Sequence, residues 1–349
     1  MLNYFLFKQK FYRLFGRRRS FQDVSDRSWI LHPEEKRSYP SAIYLNDDLE
    51  KVRGVHAFSS YEHEVSHVQP GVQVDAATVL YRVKNARLIR GHVYKEACHY
   101  PLVETPHQLW ISERAEHFPK AALACSWVGN KWFGDWMVCD LPLALAAQKL
   151  AEPITVDRPL YRDESGYRQL FHLPRIPVSY AHCDELLIID DRGQNHYMRK
   201  RYQALRSLLK SSYPASKNSK VMLRRGTDGA VRLIKNATEV EAFLRRQGFV
   251  ILEPASMTPE EIVQQTLGAQ IILGVEGSHM SHGIYTIADG GTLLTFQPPW
   301  RFNTVFKSFT DCVDLKFAFL VGDEVEGGFV INIERLSRLL EKIAAVVRV

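Results

Sequence analysis

Between Val221 and Phe296, apolar runs and amphipathic runs alternate at a spacing that suits a parallel sheet with crossover helices. "VMLRR" (221–225), "FVILE" (249–253), "QIILGV" (270–275) and "TLLTF" (292–296) read as strands. "ATEVEAFLRRQG" (237–248) reads as a helix with Val240, Phe243 and Leu244 inward and Gly248 as its stop. "TPEEIVQQTLG" (258–268) starts a second helix at Thr258, with Pro259 at the first helical position and Glu261 completing a capping box. "SHGIYTIADGG" (281–291) is a short third helix. Parallel strands need such crossovers, because a tight hairpin joins only antiparallel neighbours.

Ligands in sheets of this kind bind beyond the carboxyl ends of the strands. "EGSHMSH" (276–282) falls there, between "QIILGV" and the helix after it. It places Glu276, Gly277, Ser278, His279, Ser281 and His282 on the rim of a nucleotide-fold crevice. A helix start offers unpaired N–H groups and the positive end of a dipole, both of which favour phosphate. Gly277 and Ser278 would let a phosphate approach, and Arg224, Arg225 and Arg232 could supply a guanidinium fork. The plainer alternatives are a polar turn with histidines satisfying nearby backbone, and ordinary surface arginines. Neither a G-x-G-x-x-G fingerprint nor a Walker A loop occurs in the chain, which disfavours classical dehydrogenases and P-loop kinases.

The first half is less regular. Residues 76–103, rich in Val, Leu, Ile and Tyr, read as strands joined by tight turns, with Lys-Asn-Ala (84–86) in the middle. "WMVCDLPLALAAQKLA" (136–151) is apolar nearly all round and reads as a buried helix, Pro142 marking a first turn or a kink. "LLIID" (186–190) reads as a strand. The helix after it aligns Met198, Tyr202, Leu205 and Leu209, and residues 211–220 form a linker. "NKWFGDWMVCDLP" (130–142) holds Asn130, Asp135, Trp136 and Asp140. Asp135 sits among Trp132, Phe133 and Trp136; partial desolvation there raises a carboxyl pKa towards that of a useful base. A helix-capping Asp135 and a salt-bridged Asp140 are the alternative. Asp190–Asp191 invites comparison with acidic metal motifs, although a turn explains it equally simply.

Charge and cysteine usage narrow the class. Six of the 45 Lys and Arg residues lie in the first twenty positions, which carry no acid, so the rest of the chain balances 39 bases against 39 acids. A neutral body argues against a nucleic-acid groove. The basic start interleaves Lys8, Lys10, Arg13, Arg17, Arg18 and Arg19 with Leu2, Phe5, Leu6, Phe11, Leu14 and Phe15. That pattern suits either an anionic membrane surface or a helix docked on the protein's own core. Its apolar run is short of the roughly 20 residues a spanning helix needs. The five cysteines are odd in number and contain no C-x-x-C, so reduced thiols in a cytoplasmic protein are expected.

"NKWFGDWMVCDLPLAL", "LYRDESGYRQLFHLPRI" and the stretch from "LRRGTDGAVRLIKN" to "TLLTFQPP" together resemble glycosyltransferase family 61. Arg224 or Arg225, Arg232, Asn236, Gly248, Phe249, Glu253, Pro254, Gly274 and Gly277 stand where the family pattern wants them, and the resemblance covers about residues 76–330. Two departures stand out. Glu276 replaces a His that usually precedes Gly-Ala-Gly, and Asp135 replaces a His in the first-half helix, whereas Asp140 matches the family's Asp. The resemblance implies a GT-B-like α/β fold, two Rossmann-like lobes facing a cleft, with additional N-terminal β structure. The division expected is residues 1–75 as an extension, 76–212 as the acceptor lobe and 213–349 as the nucleotide-sugar lobe.

The implied function is an inverting transfer of a hexosyl or pentosyl group from a nucleotide-sugar to a glycan or polysaccharide hydroxyl. Asp135 is the first choice of base and Glu276 the second. Arg224, Arg225, Arg232, Gly277, Ser278, His279 and His282 are expected on the donor side, and Asn130, Asp140 and Trp136 on the acceptor side. No metal or other cofactor is expected. The expected location is the cytoplasm, with peripheral contact on the inner membrane face if residues 1–20 meet lipid. The rival readings are a non-catalytic glycan- or nucleotide-binding relative, and a GT-B-like enzyme using a CMP-linked or lipid-linked donor.

Overall fold

A computed structural model describes residues 3–16, 19–106, 114–226 and 231–347. Leu2, Arg17 and Arg18 of the basic segment lie outside the described residues, as do positions 227–230 of the family-like stretch. The chain divides into two compact units, one formed by residues 1–35 and 75–201, the other by residues 36–74 and 202–349.

The second unit holds the alternating segment. Its five strands run in the order Val250–Leu252, Lys220–Leu223, Ile271–Val275, Thr292–Gln297, Lys316–Val321, and every adjacent pair is parallel. In sequence terms the order is 2-1-3-4-5. The direction of winding reverses between Lys220–Leu223 and Ile271–Val275, which makes that gap the topological switch point where doubly wound sheets bind ligands. The expected helices form as Ala237–Arg246, Pro259–Thr266 and Ser281–Thr286. The Thr258–Glu261 capping box closes, and Gly248 ends its helix at φ +83°, a conformation costly for other residues. Val240, Leu244, Leu273, Leu294 and Phe296 lie in one core with Leu336, Leu339 and Ile343 of the terminal helix Ile333–Val347.

The segment 36–74 belongs to this unit through specific bonds. Asp48 Oδ1 accepts the Val321 N–H at 3.1 Å at the edge of the sheet. Glu64 accepts the Thr304 N–H at 2.7 Å and its hydroxyl at 2.6 Å.

The first unit is built on an 8-stranded mixed sheet. Thr78–Ile89 pairs antiparallel with Tyr180–Asp190, which pairs parallel with Glu116–Leu123; Glu152–Val156 and Ile176–Val178 continue that side in parallel. The Lys-Asn-Ala sequence is not a turn. Residues 78–89 form one strand, and Asn85 adopts φ +51° within it without shifting the register. Asn tolerates the left-handed region, so the local signal was real while the chain reversal was not.

The helix expected at 136–151 is interrupted. Trp136–Asp140 is a π turn, and Leu141–Ala147 follows as α-helix with Pro142 in its first turn. Proline cannot donate to the carbonyl four residues back, and the wider turn directly before it accommodates that loss. Met198, Tyr202, Leu205 and Leu209 of the helix His196–Ser212 are all buried, as their spacing requires.

Leu336→Ala in the terminal helix should lower stability by about 2–5 kcal/mol, because a fully buried leucine is truncated. Urea unfolding measures it, and an unchanged midpoint would contradict the packing described.

Candidate functional site

The switch point of the parallel sheet carries the densest polar cluster of the second unit. Arg224 and Arg225 follow Lys220–Leu223, and Glu276 and Gly277 follow Ile271–Val275, so two adjacent strands deliver them side by side. Glu276 is 3 % exposed. Its carboxylate accepts from Asn303 Nδ2 at 2.9 Å and Arg301 Nη1 at 2.7 Å, and Arg232 Nη1 lies 2.5 Å away. Arg232 also donates to the Glu276 carbonyl, and Arg225 approaches that same oxygen at 3.5 Å. Burial pulls the Arg232 pKa down to about 10, Glu276 opposing and Arg301 adding to the shift. The guanidinium remains charged at neutral pH.

Gly277 is what lets the arginines close in. A Cβ there would stand 2.0 Å from Arg225 Nη1 and 2.9 Å from Arg232 Nη1. Its φ of +147° lies in a region essentially reserved for glycine. Ser278 begins a short 3-10 turn that runs into Ser281–Thr286. Both ring nitrogens of His279 are buried without a hydrogen-bond partner; the Leu223 carbonyl lies near the ring but off bonding geometry. Burial, then the nearby Arg225, depresses its pKa to about 3, so the imidazole is neutral at physiological pH. Gly274 lets the turn pack closely, since a Cβ there would lie 2.5 Å from Met280 Sδ, 2.7 Å from the Leu223 carbonyl and 3.2 Å from His279 Nε2. His282 is buried inside its helix at 1 % exposure.

Arg224 turns elsewhere. It forms a two-point pair with Glu241 at 2.9 and 2.7 Å and reaches Glu253 at 3.2 Å. Of the three arginines read from sequence, Arg225 and Arg232 converge on the turn and Arg224 does not. Arg301 and Asn303 went unread. Their signal was available: "QPPWRFN" follows the strand Thr292–Gln297, so the same carboxyl-end rule covers it.

The first unit holds the other candidate residues. Asp135 closes a short helix, Phe133–Asp135, immediately before the π turn, and its side chain caps no helix. Burial pushes its pKa up to about 6, a backbone hydrogen bond partly opposing. Asp140 is 2 % exposed and accepts from Ser126 N at 3.1 Å and Ser126 Oγ at 2.6 Å. Burial raises its pKa to about 7 against those bonds and the charges of Arg158 and Arg168. Gly129 leaves the room it occupies, because a Cβ there would be 2.1 Å from Oδ2.

Asn130 donates to the Leu102 carbonyl and accepts from Arg158 Nε, both at 3.0 Å. Trp136 is 1 % exposed with the Arg168 guanidinium 5.5 Å from its ring. Of the three residues expected to meet an acceptor, Asn130 is engaged with Leu102 and Arg158, and Trp136 and Asp140 offer almost no surface. Asp190 and Asp191 are also structural, held by Arg192 and Arg201.

The Glycosyltransferase 61 family model matches residues 91–294, more than half of the chain, and the protein belongs to that family. No curated protein matches the sequence.

Gly277→Ala should force Arg225 aside and strain the backbone by about 1–3 kcal/mol. Thermal unfolding should show a fall of about 2–4 °C per kcal/mol for a unit of this size; wild-type stability would refute the cradle.

Proposed function

We propose that the protein is an inverting glycosyltransferase that binds its nucleotide-sugar donor at the switch point of the second unit. The observation that carries this is the convergence of Arg225 and Arg232 over Gly277, at the helix entry where a diphosphate would be favoured. Glu276 acts there as the counter-charge that holds Arg232 and Arg301, since both its oxygens are engaged. Asp135 is the base that takes the acceptor proton. A carboxyl with a pKa near 6 is mostly ionised at neutral pH, yet more basic than an exposed aspartate. Leaving-group charge would fall to arginine and the helix end rather than to a metal. The two units would be the lobes of a GT-B arrangement.

Glu276 also favours a second reading. It replaces the family's usual His and already neutralises arginines that would serve a diphosphate, as a non-catalytic relative could afford. A thermal-shift panel of UDP, GDP, CMP and UDP-sugars separates a donor-binding protein from a relative that no longer takes a nucleotide, and the Asp135→Asn comparison below separates turnover from binding alone. A ligand at 100 times its dissociation constant adds about 2.7 kcal/mol. A shift with one nucleotide that Arg225→Ala abolishes supports donor binding; no shift with any supports the relative. Arg225 is the better probe, because removing Arg232 would leave Glu276 buried with one cation fewer.

In the active enzyme, Asp135→Asn should lower kcat by about 10²–10⁴-fold while sparing nucleotide binding. The wild-type kcat/KM profile should fall as pH drops through about 6, where Asp135 becomes protonated, and the variant should lose that limb. An acid limb retained in Asp135→Asn would reassign the base.

The location proposed is the cytoplasmic face of a membrane. The helix Tyr4–Leu14 buries Leu6 and leaves Tyr4, Phe7, Phe11 and Leu14 exposed at helical spacing, with Phe15 just beyond, 43 to 83 % accessible, beside Lys8 and Lys10. Among the described residues, no helix is long and apolar enough to cross a membrane. Sedimentation with phosphatidylserine vesicles should retain the protein, and Phe11→Ser/Leu14→Ser should release it. Equal retention by the double variant would remove this contact.

A further inference from the structure

The first unit carries a cluster that the transfer reaction does not use. Glu116–Leu123 and Tyr180–Asp190 run parallel with His117 opposite His182, and Asp184 lies two residues further along the same face. His117 Nε2 is 3.0 Å from Asp184 Oδ2, and His182 Nε2 is 3.9 Å from Asp184 Oδ1. One ligand atom from each residue lies within 4.8 Å of the other two. An ion bound at about 2.0–2.1 Å in tetrahedral geometry wants ligand atoms about 3.3–3.5 Å apart. The observed separations bracket that value, so small side-chain rotations suffice.

The strand geometry at this level is unusual. On both flanks the regular pairing lapses at Asp184, opposite Pro119 on one neighbour and opposite Asn85, at φ +51°, on the other. Proline within an interior strand is rare because it cannot donate to the ladder. Local breaks of this sort re-aim side chains, here the one carboxylate of the cluster.

We propose that His117, His182 and Asp184 form a binding site for a single divalent late first-row metal ion, zinc above all. Two imidazoles and a carboxylate are a borderline donor set that suits Zn²⁺, with Ni²⁺ and Cu²⁺ as competitors. The half-open surface leaves a fourth position to water. Arg87, opposite His182 on the third strand, opposes a cation. The site lies at the amino end of Glu116–Leu123, about 20 Å of strand from the end that leads to Ser126 and Asp140. Its role would be to clamp two strands together, separate from the chemistry.

The test uses the full chain without a polyhistidine tag, stripped with EDTA and titrated calorimetrically with Zn²⁺. Co²⁺ reports geometry through its visible absorption. One saturable equivalent is expected, weakened at least about tenfold by His117→Ala or Asp184→Asn and unchanged by His172→Ala, an exposed histidine outside the cluster. Metal-free melting of each variant checks that it folds. Absence of saturable binding, or binding that survives His117→Ala/His182→Ala, would overturn the proposal.

Discussion

A carboxylate taken out of water at the end of a central strand must be met by cations and hydrogen-bond donors, or it costs several kcal/mol. Glu276 is in that position, and much of the second unit is arranged around it. Arg232 comes from one stretch of chain, and Arg301 and Asn303 from another, to reach its two oxygens. Asn303 is fixed in turn by Gln297, and the next residue, Thr304, by Glu64. The carboxylate therefore sets where the arginines stand, and Gly277 sets how closely they approach. The proposed phosphate recognition and a stable strand end would draw on the same groups.

The first unit solves a different problem. An aspartate near neutrality needs desolvation that outweighs the hydrogen bonds and charges opposing it. The π turn and Pro142 bend the helix so that Asp135 stands before the break, while Asp140, five residues later, is drawn inward onto Ser126. Two acids close in sequence thus meet opposite local demands. Asp140 secures the turn and Asp135 keeps its elevated pKa, raised by burial alone.

Legibility from sequence followed the range of the governing interaction. Helices with capping boxes and glycine stops could be read because those signals act within four residues, as at Thr258–Glu261 and Gly248. The Lys-Asn-Ala segment misled because Asn85 favours a left-handed backbone in a turn and in an irregular strand alike. Arg224 and Arg225 are adjacent and chemically identical in sequence. Only the positions of Glu241, Glu253 and Gly277 separate their roles.

Sequence alone determined the parallel character of the second sheet and the carboxyl-end position of Glu276 to His282. Period, capping and local polarity are written in neighbouring residues, so no knowledge of the fold was needed. Tertiary structure alone decided that Glu276 is enclosed by Arg232, Arg301 and Asn303, that Trp136 and Asp140 face inward, and that His117 meets His182 and Asp184. Those outcomes depend on strand order and register, which bring together residues dozens of positions apart and which no local pattern encodes.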